Sequence, residues 1–242
     1  MRLLISVRDG AEASAALAGG ADLIDAKDPA AGSLGAVALH TLMGIHRAVG
    51  PTRPVTAALG DAATESTIEQ LAFAFASTGT AFVKVGFAGI SDRARVTTLL
   101  RAAVQGARSA RCATCGVIAV GYADSAVVES LPWVQLNTAA ADAGAAGVLI
   151  DTADKQGPGL PHLITFPMFT RWCREAREAG LLVAAAGRLS PQDLTYVRDA
   201  GVDVVGFRGA ACDGGRTGQI SREKVSALRE LVSPYYSLVD HR

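Results

Sequence analysis

The chain has 242 residues, half of them apolar and 19 % charged, with 26 glycines and only nine prolines. Such a composition buries a large core and excludes disorder and collagen-like structure. Lysine plus arginine equals aspartate plus glutamate at 23 each, so the electropositive footprint of a nucleic-acid or anionic-membrane binder is missing, and small-molecule chemistry is favoured.

Charge appears too early in the run from Met1 to Asp9 for a signal-peptide apolar region. No uncharged apolar stretch reaches the roughly eighteen residues of a transmembrane helix. The expected setting is cytoplasmic. Four cysteines, at 112, 115, 173 and 212, are too sparse for a disulfide scaffold. Cys112 and Cys115 have a ligand-like spacing, but none of His40, His46, His162 or His241 supplies the second pair that zinc requires. No metal site is expected.

In chain order, short runs rich in valine, isoleucine and leucine alternate with helical patterns. The expected strands are Leu3–Val7, Asp22–Lys27, Val55–Leu59, Phe82–Gly86, Val117–Tyr122, Gly147–Asp151, Leu181–Gly187 and Val204–Gly209. Helix-length segments between them include Val37–Val49, Glu65–Thr78, Asp92–Arg108, Phe166–Ala179 and Pro191–Ala200, with Arg222–Leu231 last. Glycines 19–20, 144, 180 and 201 sit where helices end before a strand, and Ser190-Pro191 and Ser221 sit where helices begin. Eight such units in one chain predict an α/β fold, a single-domain (β/α)8 TIM barrel over residues 1–242. An open doubly wound sheet is the alternative, but no G-x-G-x-x-G follows the first strand.

Active sites of such barrels lie at the C-terminal strand ends. The chain holds 19 arginines and only four lysines, and three of these, Lys27, Lys84 and Lys155, fall on or just after strand ends. Only Lys224 reads as an ordinary helix-surface lysine. A lysine, unlike an arginine, can lose its proton, and a buried or cation-flanked amine becomes a nucleophile toward carbonyls. Lys27 and Lys84 would flank each other. Strand periodicity places Asp25 on the face of Lys27, and Asp151 lies four residues before Lys155, so the expected constellation is two Asp/Lys pairs plus Lys84. Barrel-interior ion pairing is the structural alternative.

Phosphate is the next expectation, because loops after the seventh and eighth strands of barrels often bind it through backbone N–H groups. Gly187-Arg188 follows the seventh strand, and Arg208-Gly209-Ala210 opens the glycine-rich segment after the eighth. The glycines allow close approach, and Arg188 or Arg208 would complete the anion site. Asp61, Tyr122 and Asp124 add polar groups at other strand ends. Ser33 reads as a helix cap and Cys212 as a packed residue. The apolar helix faces fit a homo-oligomer interface and core packing equally well.

The run Asp22-Leu-Ile-Asp25-Ala-Lys27-Asp28-Pro29-Ala-Ala-Gly32-Ser33-Leu34-Gly35-Ala36 resembles the signature of the (5-formylfuran-3-yl)methyl phosphate synthase family. Four further blocks agree in order: Val83–Gly86, Gly121–Asp124, Asp151–Lys155 and Arg208–Gly215. The resemblance spans nearly the whole chain. It implies a TIM-barrel lyase that joins two glyceraldehyde 3-phosphates into a furan phosphate for methanofuran-type one-carbon carriers. Lys27 would then form the Schiff base and Lys84 would transfer protons, with Asp25, Asp151 and Lys155 in support. That chemistry requires neither a metal nor an organic cofactor. The segment Gln156–His162 is richer in proline and glycine than the family pattern.

Overall fold

A computed structural model describes residues 1–110 and 114–233. Eight parallel strands close into a barrel: β1 Arg2–Val7, β2 Leu23–Ala26, β3 Val55–Asp61, β4 Phe82–Gly86, β5 Gly116–Tyr122, β6 Gly147–Asp151, β7 Leu182–Ala185 and β8 Val204–Phe207. Between them run α1 Gly10–Ala18, α2 Leu39–Val49, α3 Glu65–Ala76, α4 Arg93–Ser109, α5 Leu136–Ala143, the single turn α6 Leu160–Leu163, α7 Phe166–Glu178, and α8 Leu194–Asp199. A two-stranded ribbon, β9 Cys212–Asp213 with β10 Gln219–Ile220, and α9 Arg222–Val232 complete the fold. The expected TIM barrel is the observed one. Pairing of Leu3 with Val205 and of Ile5 with Phe207 closes the ring.

Strand alternation explains the layering. Val83 and Val85 on β4, Ile24 and Ala26 on β2, and Val148 and Ile150 on β6 join the core under the helices. The residues between them point into the barrel. Its lower half is filled by Leu4, Leu23, Ile118, Leu149 and Val204. Further up, toward the C-terminal ends of β1, β2, β4, β5 and β6, stand Ser6, Asp25, Lys84, Tyr122 and Asp151, all buried. The polar groups are thus raised on an apolar floor.

The helix starts expected at Ser190 and Ser221 and the helix end expected at Gly144 are observed, and further caps appear beside them. The Asp9, Thr64, Asp92 and Ser221 side chains each accept a backbone N–H at a helix start. Ser190 and Asp193 form a capping box, although a 3-10 turn precedes α8 there. Gly144 ends α5 in the left-handed conformation with φ of 71°.

Three strands are shorter than expected. β2 starts after Asp22, whose carboxylate accepts the Leu3 N–H instead, and it stops before Lys27. β7 ends at Ala185, ahead of positive-φ turns at Gly187 and Arg188, and β8 ends where Arg208 leaves the extended region. The β9–β10 ribbon has no counterpart in the sequence reading, because two-residue strands carry no periodicity. Lys224 pins it, donating to the Cys212 carbonyl at 2.7 Å and pairing with Asp213 at 2.9 Å.

Gly106 lets α4 lie directly on α3, since a Cβ there would run into the Glu69 carbonyl. Two backbones cannot relax as a side chain does. Gly106→Ala should therefore destabilise the barrel by about 1–3 kcal/mol, read as a lower midpoint in urea unfolding.

Candidate active site

A cavity of about 460 Å³ opens at the C-terminal mouth. Lys27, Lys84, Asp151 and Lys155 line it, together with Gly187, Arg188, Arg208, Gly209 and Ala210. These were predicted from scattered strand ends, and the barrel brings them to one place.

Asp25 lies deepest, fully buried. It accepts hydrogen bonds from Ser6 Oγ at 2.8 Å and Thr56 Oγ1 at 2.7 Å, and it pairs directly with Lys84. The expected Asp25/Lys27 pair is therefore corrected. Residues two apart on a strand are separated by roughly 7 Å along its axis. The tilt of a barrel's strands instead puts inward residues of alternate strands into one layer, and β2 and β4 are alternate.

Above that pair, Lys27 Nζ stands 4.0 Å from Asp151 Oδ2. The other carboxylate oxygen, Oδ1, accepts from the Thr152 N–H at 2.8 Å and from Lys155 Nζ at 2.7 Å, the predicted Asp151/Lys155 pair. Lys155 also donates to the Thr152 carbonyl. Lys84 and Lys155 are thus anchored by short contacts, whereas the Lys27 amine makes no hydrogen bond among the described residues. Burial lowers the Lys27 amine from its ordinary 10.5 to about 8. Asp151 opposes the shift, and Lys155 and Lys84 reinforce it. Burial works against ionisation of Asp151, yet Lys155 and Lys27 outweigh it and hold the carboxyl below the usual range.

The two loops expected to hold phosphate both border the cavity. Gly187 has φ of 103° and packs so closely on Thr152 that a side chain would crowd it, and exposed Arg188 donates to the Gly157 carbonyl. Arg208 departs from expectation. Its five N–H donors all have partners inside the chain: Nε goes to the Arg216 carbonyl, Nη1 to the Ser6 carbonyl and Glu12, and Nη2 to Glu12 and the Gly218 carbonyl. With nothing left for an anion, it is a strut rather than a ligand. Its partner Glu12 is a buried carboxylate on α1 that the sequence reading passed over.

Elsewhere, the Tyr122 hydroxyl donates to Asp61 at 2.7 Å, and Ser33 Oγ reaches that hydroxyl at 3.4 Å. Burial and then the Asp61 charge push the phenol well above its ordinary range. Ser33 therefore tethers the loop after β2 rather than capping a helix. Asp124 accepts the Ala153 and Asp154 N–H groups and braces the loop after β6. His162 is exposed, outside the cavity lining. Cys212 is buried, and burial raises its thiol above the ordinary range, as befits a packed residue. Cys112 lies outside the described residues. Among those described, no group of three or more histidines, cysteines or carboxylates is placed to hold a metal, and no helix is long and apolar enough to cross a membrane.

The structure defines a (β/α)8 barrel protein with a lysine- and carboxylate-lined mouth. Within that class the chain belongs to the 4-HFC-P synthase family, whose model matches residues 3–229, which places it among enzymes. It is 34 % identical over 238 residues to the (5-formylfuran-3-yl)methyl phosphate synthase of Methanothermobacter thermautotrophicus, covering 97 % of this chain and 100 % of that one. The proteins of the same name from Methanocaldococcus jannaschii and Methanopyrus kandleri are 35 % and 36 % identical, each over 96 % of this chain and 99 % of its own. Among solved structures, KGPDC from Streptococcus mutans superposes with a TM-score of 0.66 at 16 % identity, over 96 % of both chains. Phosphoribosyl anthranilate isomerase from Thermus thermophilus gives 0.63 at 16 %, over 96 % of this chain and 98 % of that one. These last two likenesses speak to the fold alone.

Proposed function

We propose that the chain condenses two glyceraldehyde 3-phosphates into (5-formylfuran-3-yl)methyl phosphate, for methanofuran-type cofactor biosynthesis. One phosphate and two waters leave, which balances two three-carbon phosphates against a six-carbon furan aldehyde carrying one phosphate. The observation that carries the reading is Lys27: a buried amine whose proton affinity burial lowers to about 8, making no hydrogen bond among the described residues, on the wall of the cavity. Such an amine attacks a triose aldehyde, and loss of water gives an iminium that acidifies the adjacent C–H.

Lys84 stands beside that position, held by Asp25, and moves the protons as enamine forms, phosphate is expelled and the second aldehyde is attacked. Asp151 and Lys155 hold the amine's surroundings at fixed charge. Gly187, Arg188, Gly209 and Ala210 border the space for the phosphate groups. The family membership and the names of the relatives support this assignment. The purified protein incubated with glyceraldehyde 3-phosphate alone should release inorganic phosphate and yield a furan chromophore with the mass of the monophosphate. A six-carbon sugar bisphosphate without phosphate release would make it an aldolase, and absence of turnover would point to a binding barrel.

A further inference from the structure

Arg216 sits on the loop joining β9 to β10, half-buried, and lines the cavity. Its Nη1 donates to the Pro29 carbonyl at 2.6 Å and its Nη2 to the Gly32 carbonyl at 2.7 Å. Both carbonyls belong to the turn that follows Lys27, which is closed by the Asp28 N–H on the Gly35 carbonyl at 2.9 Å. A guanidinium has five N–H donors, so Nε and one hydrogen on each terminal nitrogen remain without a partner among the described residues. Arg208, eight positions earlier, has spent all of its own.

Charge makes the same distinction. Lys84 is neutralised by Asp25 and Lys155 by Asp151, while Arg216 has no carboxylate partner among the described residues. A partly desolvated cation with free donors facing a cavity is a receptor for an anion, and the planar fork suits the two-oxygen edge of a phosphate. Burial lowers the guanidinium's affinity for its proton, and Asp151 opposes this, so its charge is felt inside the same cavity.

We propose that Arg216 is a two-sided clamp: one edge grips the turn behind Lys27, and the other binds a phosphate group of the substrate. Occupancy of the cavity is thereby tied to the placement of the Schiff-base lysine. This rests on the reading that the substrates are triose phosphates.

The test titrates wild type, Arg216→Ala and Arg216→Lys with glycerol 3-phosphate, which carries the phosphate but has no aldehyde to condense. Hydrogen exchange of residues 28–36 is followed with and without it. Arg216→Ala should weaken binding about ten- to one-hundredfold, and glycerol 3-phosphate should slow exchange of the turn in wild type only. Arg216→Lys, which keeps the charge but loses the fork, should fall between, and it decides the matter should the alanine variant fail to fold. In the glyceraldehyde 3-phosphate assay KM should rise and kcat should fall with it, because the turn that places Lys27 loosens when the guanidinium is lost. Unchanged affinity in both variants, or protection of the turn retained in Arg216→Ala, overturns the clamp. Weakened binding in the variants alongside a wild type that makes no furan upholds the clamp and removes the furan-synthase reading instead.

Discussion

Lys27→Met should lower furan phosphate formation by about three to four orders of magnitude, because the covalent step and the proton transfers that depend on it are lost together. Borohydride added with glyceraldehyde 3-phosphate should reduce the imine and leave a stable adduct on Lys27 in the wild type, found by peptide mass, and none in the variant. An adduct on Lys84 or Lys155 would reassign the nucleophile. The reactive form is the free amine, so with Lys27 titrating near 8, kcat/KM should climb about tenfold per pH unit below that value and level above it. Stability runs the other way. The unfolded chain holds this proton up to about 10.5 and the folded chain only to about 8. Below pH 8 the wild type therefore carries the full cost of burying a cation, and that cost disappears as pH rises from 8 to 10.5. Lys27→Met should be more stable than wild type at pH 7, by up to about 3 kcal/mol. The advantage should vanish by about pH 10.5 in thermal unfolding.

The second large effect lies beneath the cavity. Arg208 and Glu12 form a two-point pair with both side chains 4 % exposed. Glu12→Gln leaves the Arg208 guanidinium in the interior without a carboxylate and should cost about 3–5 kcal/mol, measured by urea unfolding, whereas Arg208→Met should cost less, because Arg8 still pairs with Glu12 at 3.1 Å. Replacing both, as Glu12→Leu with Arg208→Met, should restore only part of this. The carbonyls of Ser6, Arg216 and Gly218 would still lack their donor.

The barrel was legible because its strands are short runs of valine, isoleucine and leucine, four of them preceded by a helix-ending glycine, with Ser190 and Ser221 marking helix starts. The site was legible through one unusual bias, lysine withheld from the surface and spent at strand ends. Which carboxylate serves which lysine was not, since Asp25 meets Lys84 through strand tilt, a property of the closed ring and of no single segment. Arg208 and Arg216 illustrate the same boundary. Both follow β8 in a glycine-rich stretch, and as sequence they are equivalent cations. Only the position of Glu12, nearly two hundred residues away, commits one of them to the interior and leaves the other for a ligand. Glu12 carried no signal of its own, because a glutamate in the first turn of a helix is ordinarily a dipole partner facing water.

The seam between β1 and β8 also dictates an order of events. Residues 2–5 pair with residues 204–207, and Glu12 meets Arg208 across 196 positions. A nascent chain thus carries β1 with one bare edge, and Glu12 with only Arg8 for a partner, until β8 has been made. Contacts so distant in sequence form late and hold up the rest. Until then the half-built sheet can find the wrong neighbour, including the matching edge of another nascent chain. The final barrel strand covers that edge and brings Arg208 to Glu12 in a single step, so closure of the ring waits on β8 rather than on any local segment.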